Sequence, residues 1–241
     1  MSRSARRAAA FVASLAFVVA LLGFPVTANA STSYAVIPGI GRFTVRAGIS
    51  QVIVVTSVNW RSATAIVMAY EKQRSGPWVQ KFGPLTAHIG RAGMRLALRR
   101  HEGDNTTPAG VFALTASFGR LADTTTAMPY TKVTTNDYWV GDSSSPYYNQ
   151  LRSGLRGGFS RAQSEHLTAM GAVYDHAIVV DFNRPHAVAG RGSALFLHIT
   201  NGRTTSGCIA ISRAGVSALL RWLDPVKNPR IVMGPASWLA G

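Results

Sequence analysis

Phe196-Leu-His-Ile-Thr-Asn-Gly-Arg-Thr-Thr-Ser-Gly-Cys-Ile-Ala-Ile211 reads as an apolar strand, a short polar loop and a second apolar run. Alternation along the first strand puts Phe196 and His198 on one face, with Leu197 and Ile199 on the other. The turn around Asn201-Gly202 is short, so the end of one strand is expected to lie beside the start of the next. That brings His198 and Cys208 within reach of each other. Cys208 is the only cysteine in the chain, which excludes an internal disulfide.

The rest of the chain is β-rich outward from this stretch. Gln51–Val55, Ala63–Tyr70, Trp78–Leu85, Val111–Phe118, Ala177–Phe182, Ser193–Thr200 and Arg230–Met233 are strand candidates. Glu71–Pro77 reads as a hairpin loop, and Thr107-Pro108-Ala109-Gly110 as a turn before a strand. One helix is expected: Ser212 is a good N-cap, Val216, Leu219, Leu220 and Leu223 recur at helical spacing, and Pro225 follows. Residues 119–170 lack a pattern and are expected to form loops and short helices over the sheet. The aromatics there, Trp139, Tyr147 and Tyr148, either meet a ligand or pack the loops down. The Arg- and Gly-rich run from Arg152 to Arg161 reads as a solvated loop.

The N-terminus has the grammar of a secretory signal peptide. Arg3, Arg6 and Arg7 precede an apolar run from Ala8 to Phe24, and Ala28-Asn29-Ala30 offers a cleavage site. The apolar run is short for a membrane span; the alternative is an uncleaved anchor. The expected organisation is a signal peptide over 1–30, an N-terminal segment over 31–50 and a catalytic domain over 51–241, with no integral span in the mature chain. Lys and Arg outnumber Asp and Glu by 25 to 10, a formal charge of +15. The basic residues are scattered and not interleaved with aromatics, which argues against a nucleic-acid site. For an exported chain such a charge points to the anionic polymers of a cell envelope.

A thiol kept outside the cell is an oxidation hazard unless it is buried or useful. A free thiol has a pKa near ~8.5 and is a weak nucleophile until a base takes its proton. His198 is placed to do so. Gly207 permits a tight backbone beside the sulfur, and the amides of Gly207 and Cys208 are candidates for an oxyanion hole. Arg203 and Arg213 are the nearby cations that would favour a thiolate. Of the other histidines, His176 reads as a strand-end residue, His186 lies in a turn, and His88, His101 and His166 are surface or edge residues. A zinc site on Cys208 and His198 lacks the ligand spacing such sites use, so no metal is expected. Asp181 and Asn183 read as loop braces.

Thr205-Ser206-Gly207-Cys208-Ile209 resembles the Ser/Thr-His-Gly-Cys motif of the L,D-transpeptidases, the YkuD-like cysteine enzymes of bacterial cell walls. His198 at the end of an apolar strand matches that family's general base, and Thr107-Pro108-Ala109-Gly110-Val111-Phe112 resembles its Thr-Pro-x-Gly-x-Phe turn. The resemblance runs from about Gln51 to Met233, apart from the stretch from Gly119 to Met170, which matches nothing in the family's pattern. It departs from the pattern at Ser206, which replaces a second histidine, at Ala210, where Arg or Asn is usual, and in a shorter spacing from His198 to Cys208.

The resemblance implies a mainly β fold, an L,D-transpeptidase-like β-sandwich or open barrel with few short helices. It implies Cys208 as nucleophile, His198 as base, Thr205, Ser206 and Gly207 as motif and oxyanion-loop residues, and the Ile199 carbonyl as the group orienting the histidine. The implied partner is a peptidoglycan stem tetrapeptide, cleaved with release of D-alanine and joined to a second stem; no cofactor is implied. A carboxypeptidase or endopeptidase, or a catalytically weak wall-binding protein of the same fold, are the alternatives.

Overall fold

The computed structural model describes residues 32–37, 41–46, 48–74, 76–122 and 125–241. The expected leader lies outside them. Residues 31–241 form one compact unit. Thr32–Ile37 and Gly41–Arg46 pair antiparallel.

Eight strands form a barrel. In chain order they are β1 (Gln51–Ser57), β2 (Thr64–Lys72), β3 (Trp78–His88), β4 (Thr107–Gly119), β5 (Ala177–Val180), β6 (Phe196–Ile199), β7 (Ile209–Ile211) and β8 (Arg230–Pro235). Around the barrel the order is β5-β6-β7-β3-β2-β1-β8-β4, and β4 pairs with β5 to close it. Closure removes the open edges that would otherwise template aggregation. The β6–β7 and β8–β1 pairs are parallel, and the others are antiparallel. The mainly β class and the scarcity of helices agree with the reading of the sequence.

Strand alternation sorts the core into layers. Ile53, Val67, Ile178, Leu197, Ile209 and Ile231 belong to the main cluster. Helix α1 (Arg213–Trp222) adds Val216, Leu219 and Leu220 to it. Ser212 caps this helix, its side chain accepting from the Gly215 N–H, which satisfies one of the helix's orphan donors. On the opposite face of β4, β5 and β6, Phe118, Ala177, Val179 and Phe196 join Val133, Trp139, Leu167 and Tyr174. The strands are therefore buried on both faces, which is why β5 reads as an uninterrupted apolar run.

Two expectations change. Thr107-Pro108-Ala109-Gly110 is not a turn: Thr107–Ala109 pair in parallel with the short strand Met94–Leu96, and Gly110 pairs with Met233, so the ladder extends back through the motif. Residues 119–170 do more than loop over the sheet, since Asp137–Trp139 is the centre of a small antiparallel sheet between Leu151–Ser153 and Glu165–His166. Strands of two or three residues carry too little alternation to be visible in sequence. Trp139 and Tyr148 are buried; the Trp139 ring packs edge-on against Phe196 at 4.8 Å, so it anchors this sheet to the barrel. Asn183 braces its loop by bonding the Val188 and Gly192 carbonyls.

Candidate active site

The β6–β7 pairing positions the site. The two strands run parallel, with Leu197 beside Ile209 and His198 beside Ala210. The connection is therefore a crossover, not a hairpin return, and Cys208 enters β7 level with Phe196. Because Leu197 and Ile209 share the main core, the residues before them, Phe196 and Cys208, emerge together on the opposite face. His198, two positions beyond Phe196, emerges on that face too.

Cys208 and His198 line one cavity of about 710 Å³. His198 is buried, and its Nδ1 lies 2.9 Å from the Ile199 carbonyl, to which it donates. That hydrogen bond selects the tautomer with a free, basic Nε2. Burial lowers the His198 pKa, partly offset by the Ile199 carbonyl, so the ring is neutral near pH 7. The Cys208 thiol donates to the Ala194 carbonyl at 3.2 Å and accepts from the Phe196 N–H at 3.4 Å. Burial pushes this thiol up to about 12, the Glu165 carboxylate adds to the rise, and the Phe196 N–H and Arg100 oppose it. The resting site thus holds a neutral thiol and a neutral imidazole on one cavity wall.

The loop around Gly207 is tied from several sides. Thr205 Oγ1 accepts from the Gly207 N–H at 3.0 Å and donates to the Cys208 carbonyl at 2.7 Å. The Gly207 N–H is therefore engaged within the loop. Thr107 donates its hydroxyl to the Gly207 carbonyl at 2.7 Å and accepts from the Gly90 N–H at 2.9 Å. Here the Thr-Pro-x-Gly stretch and the cysteine loop meet directly. Gly207 has φ +146°, and a Cβ there would sit 2.7 Å from Arg100 Nη2 and 2.9 Å from the Thr106 carbonyl. Only glycine fits. Ser206 is exposed at the cavity rim.

Arg100 is the cation beneath this loop. It is buried, its Nε donates to the Thr106 carbonyl at 2.8 Å, and Asp104 lies 3.6 Å away. Its Nη1 has no hydrogen-bond partner among the described residues. Arg213, expected near the thiol, instead pairs with Asp175 at 2.7 Å because the first turn of α1 faces the β5 approach. Arg203 stays exposed on the rim. Sequence reasoning missed Arg100 because it reaches the loop from a distant segment. Among the six histidines only His198 lines the cavity. His88 meets Thr200, and His166 stacks on Tyr138 at 4.6 Å.

Glu165 is the other residue missed. It pairs with Trp139 across the small sheet, which turns its side chain to the same face as the Trp139 ring, toward Phe196. It lines the cavity and accepts from the Tyr174 hydroxyl at 2.9 Å. The Tyr174 ring in turn packs edge-on against His198 at 5.3 Å. Burial pushes Glu165 up to about 7, against the lowering effect of the Tyr174 hydroxyl.

No group of three or more His, Cys, Asp or Glu side chains that could hold a metal occurs among the described residues. Nor does any helix there have the length and apolarity to cross a membrane. No curated protein matches the chain. The family model for YkuD, the L,D-transpeptidase catalytic domain, matches residues 52–232. That span takes in the whole barrel apart from the ends of β1 and β8, together with the cavity and both sides of the cysteine loop, and the chain belongs to the YkuD family of L,D-transpeptidase catalytic domains.

Proposed function

We propose that the chain is an exported cell-wall L,D-transpeptidase that works through a Cys208 thioester. The observation that carries this reading is the shared cavity of Cys208 and His198, with the His198 Nδ1 held by the Ile199 carbonyl. An imidazole held this way offers Nε2 to the thiol proton. Because the thiol and the ring are both neutral at rest, the proton moves as the substrate carbonyl is attacked, not before. Cys208 Sγ adds to the carbonyl of the third stem residue. His198 then passes the proton to the departing D-alanine nitrogen, leaving the thioester. With the Gly207 N–H engaged, the Cys208 N–H is the donor assigned to the oxyanion. An amine of a second stem attacks the thioester, and the product is a cross-link between third residues. The excess of Lys and Arg, 25 against 10 acidic residues, supports residence among anionic wall polymers.

The test is to incubate the protein with a carbapenem, then with a tetrapeptide stem, following intact mass and free D-alanine. A Cys208-dependent adduct and D-alanine release are expected, both lost in Cys208→Ala. Absence of both in the unaltered protein sinks the reading. For His198→Ala, acylation at pH 7 is expected to fall by about 10²-fold or more.

A further inference from the structure

Within that transpeptidase reading, the identity of the acceptor follows from a carboxylate on the cavity wall. In a chain with formal charge +15, a site for an anionic substrate alone would be lined by cations. This cavity carries Arg100 and the exposed Arg203, but it also carries Glu165 and, at its exposed rim, Glu102. Glu102 is engaged by the Tyr148 hydroxyl and by Ser193 Oγ at 3.2 Å. Glu165 is placed deeper. One of its oxygens takes the Tyr174 hydroxyl, and its charge acts on the Cys208 sulfur.

A negative charge at this place works against the first half of the reaction, because it disfavours the thiolate. Among the described residues no ion pair engages Glu165; Arg100, the buried cation that opposes its effect on the thiol, is bound to Asp104 and the Thr106 carbonyl. A carboxylate that hinders acylation and still lines the cavity of the reacting sulfur has its use in the second half. There the incoming group is an amine, which arrives in water as an ammonium and must lose a proton before it can attack.

We infer that Glu165 is the acceptor-binding carboxylate: it holds the ammonium of the incoming stem beside the Cys208 thioester and takes a proton from it, so that aminolysis outruns hydrolysis. The balance is complete with groups on the page. The ammonium gives one proton to Glu165, and the neutral amine adds to the thioester carbonyl. The second proton passes from nitrogen to His198 Nε2. Collapse breaks the C–S bond, and the Cys208 thiolate recovers that proton from His198. Glu165 then releases its proton to water. Burial of the carboxyl brings its proton affinity to about pH 7, suited to taking up a proton and returning it. Tyr174, fixed to Glu165 and packed on His198, keeps the carboxylate and the imidazole in register.

The experiment compares the full protein with Glu165→Gln, which keeps an acceptor for the Tyr174 hydroxyl. Each is given a tetrapeptide stem as donor and a tripeptide stem with a free side-chain amine as acceptor. The same acceptor with its amine acetylated is the control. D-alanine release reports acylation, and mass spectrometry reports cross-linked dimer against hydrolysed donor. Glu165→Gln is expected to retain or speed carbapenem acylation while the dimer-to-hydrolysis ratio falls about tenfold or more, the loss due to a charge-assisted hydrogen bond. An unchanged ratio in a variant that still acylates overturns this inference and leaves the transpeptidase reading standing. Loss of acylation and transfer together in Glu165→Gln also overturns it, since Glu165 would then support the site as a whole. Absence of acylation in the unaltered protein sinks both.

Discussion

Two charges pull the Cys208 thiol in opposite directions, Arg100 lowering its pKa and Glu165 raising it. Arg100→Gln is expected to slow alkylation of the thiol by iodoacetamide at neutral pH, because the guanidinium favours the thiolate. Glu165→Gln is expected to speed it. The check is the pH–rate profile of alkylation; a profile unmoved in Arg100→Gln would mean that the guanidinium only props the loop. The same substitution removes the buried cation beside Asp104 and leaves only the more exposed Arg95, 3.8 Å away, which costs stability, so the kinetics belong well below the variant's melting temperature. Glu165 also links stability to pH. Its pKa rises from 4.5 to about 7 on folding, so the folded state holds the proton more tightly. Stability is then full below about pH 4.5 and falls as pH climbs through 7. Glu165→Gln is expected to remove that slope and gain on the order of 2 kcal/mol at pH 8, measured as melting temperature against pH for the two proteins.

At the scale of elements, the cysteine loop is held by β4 as much as by its own strands. Thr107 is the pin: its hydroxyl serves both the Gly207 carbonyl and the Gly90 N–H. Thr107→Val keeps the shape and leaves two buried polar groups without a partner, at a cost of about 2–4 kcal/mol. Denaturant titration is expected to show that loss, and D-alanine release to fall further than stability alone explains. An intact melting curve would show that the pin is dispensable. This contact also explains why the Thr-Pro-x-Gly stretch and the cysteine motif are read together although they are far apart in sequence. Each is legible as a local pattern, whereas the hydrogen bond joining them is not. The parallel β6–β7 crossover was likewise hidden, because a short polar loop is compatible with either direction of return. The small sheet that carries Glu165 was hidden for a simpler reason. Its strands are two or three residues long, and alternation needs more than that to stand out.

For the whole molecule, the positive charge of the chain and the carboxylates of the cavity divide the work of recognition. The scattered Lys and Arg side chains favour a polyanionic surface, and attraction of this kind weakens as salt shortens the screening length to about 8 Å at physiological strength. Retention on a phosphate-bearing wall polymer is expected to fall steeply between low and physiological salt, by co-sedimentation, while carbapenem acylation stays unchanged. Equal loss of both would place the substrate's own binding on the charged surface. What the sequence by itself determined is local. The strand alternation put Phe196 and His198 on one face, the N-cap at Ser212 began the helix, and a lone cysteine after Gly207 marked the nucleophile candidate. These follow from periodicity and backbone chemistry within a few residues. What only the tertiary structure decided is which distant charges meet that face. Arg100 arrives under the loop, and Glu165 arrives through its pairing with Trp139, because barrel closure and strand register bring them there. Neither register nor closure is written in any one segment; both arise when all eight strands bury their apolar faces together.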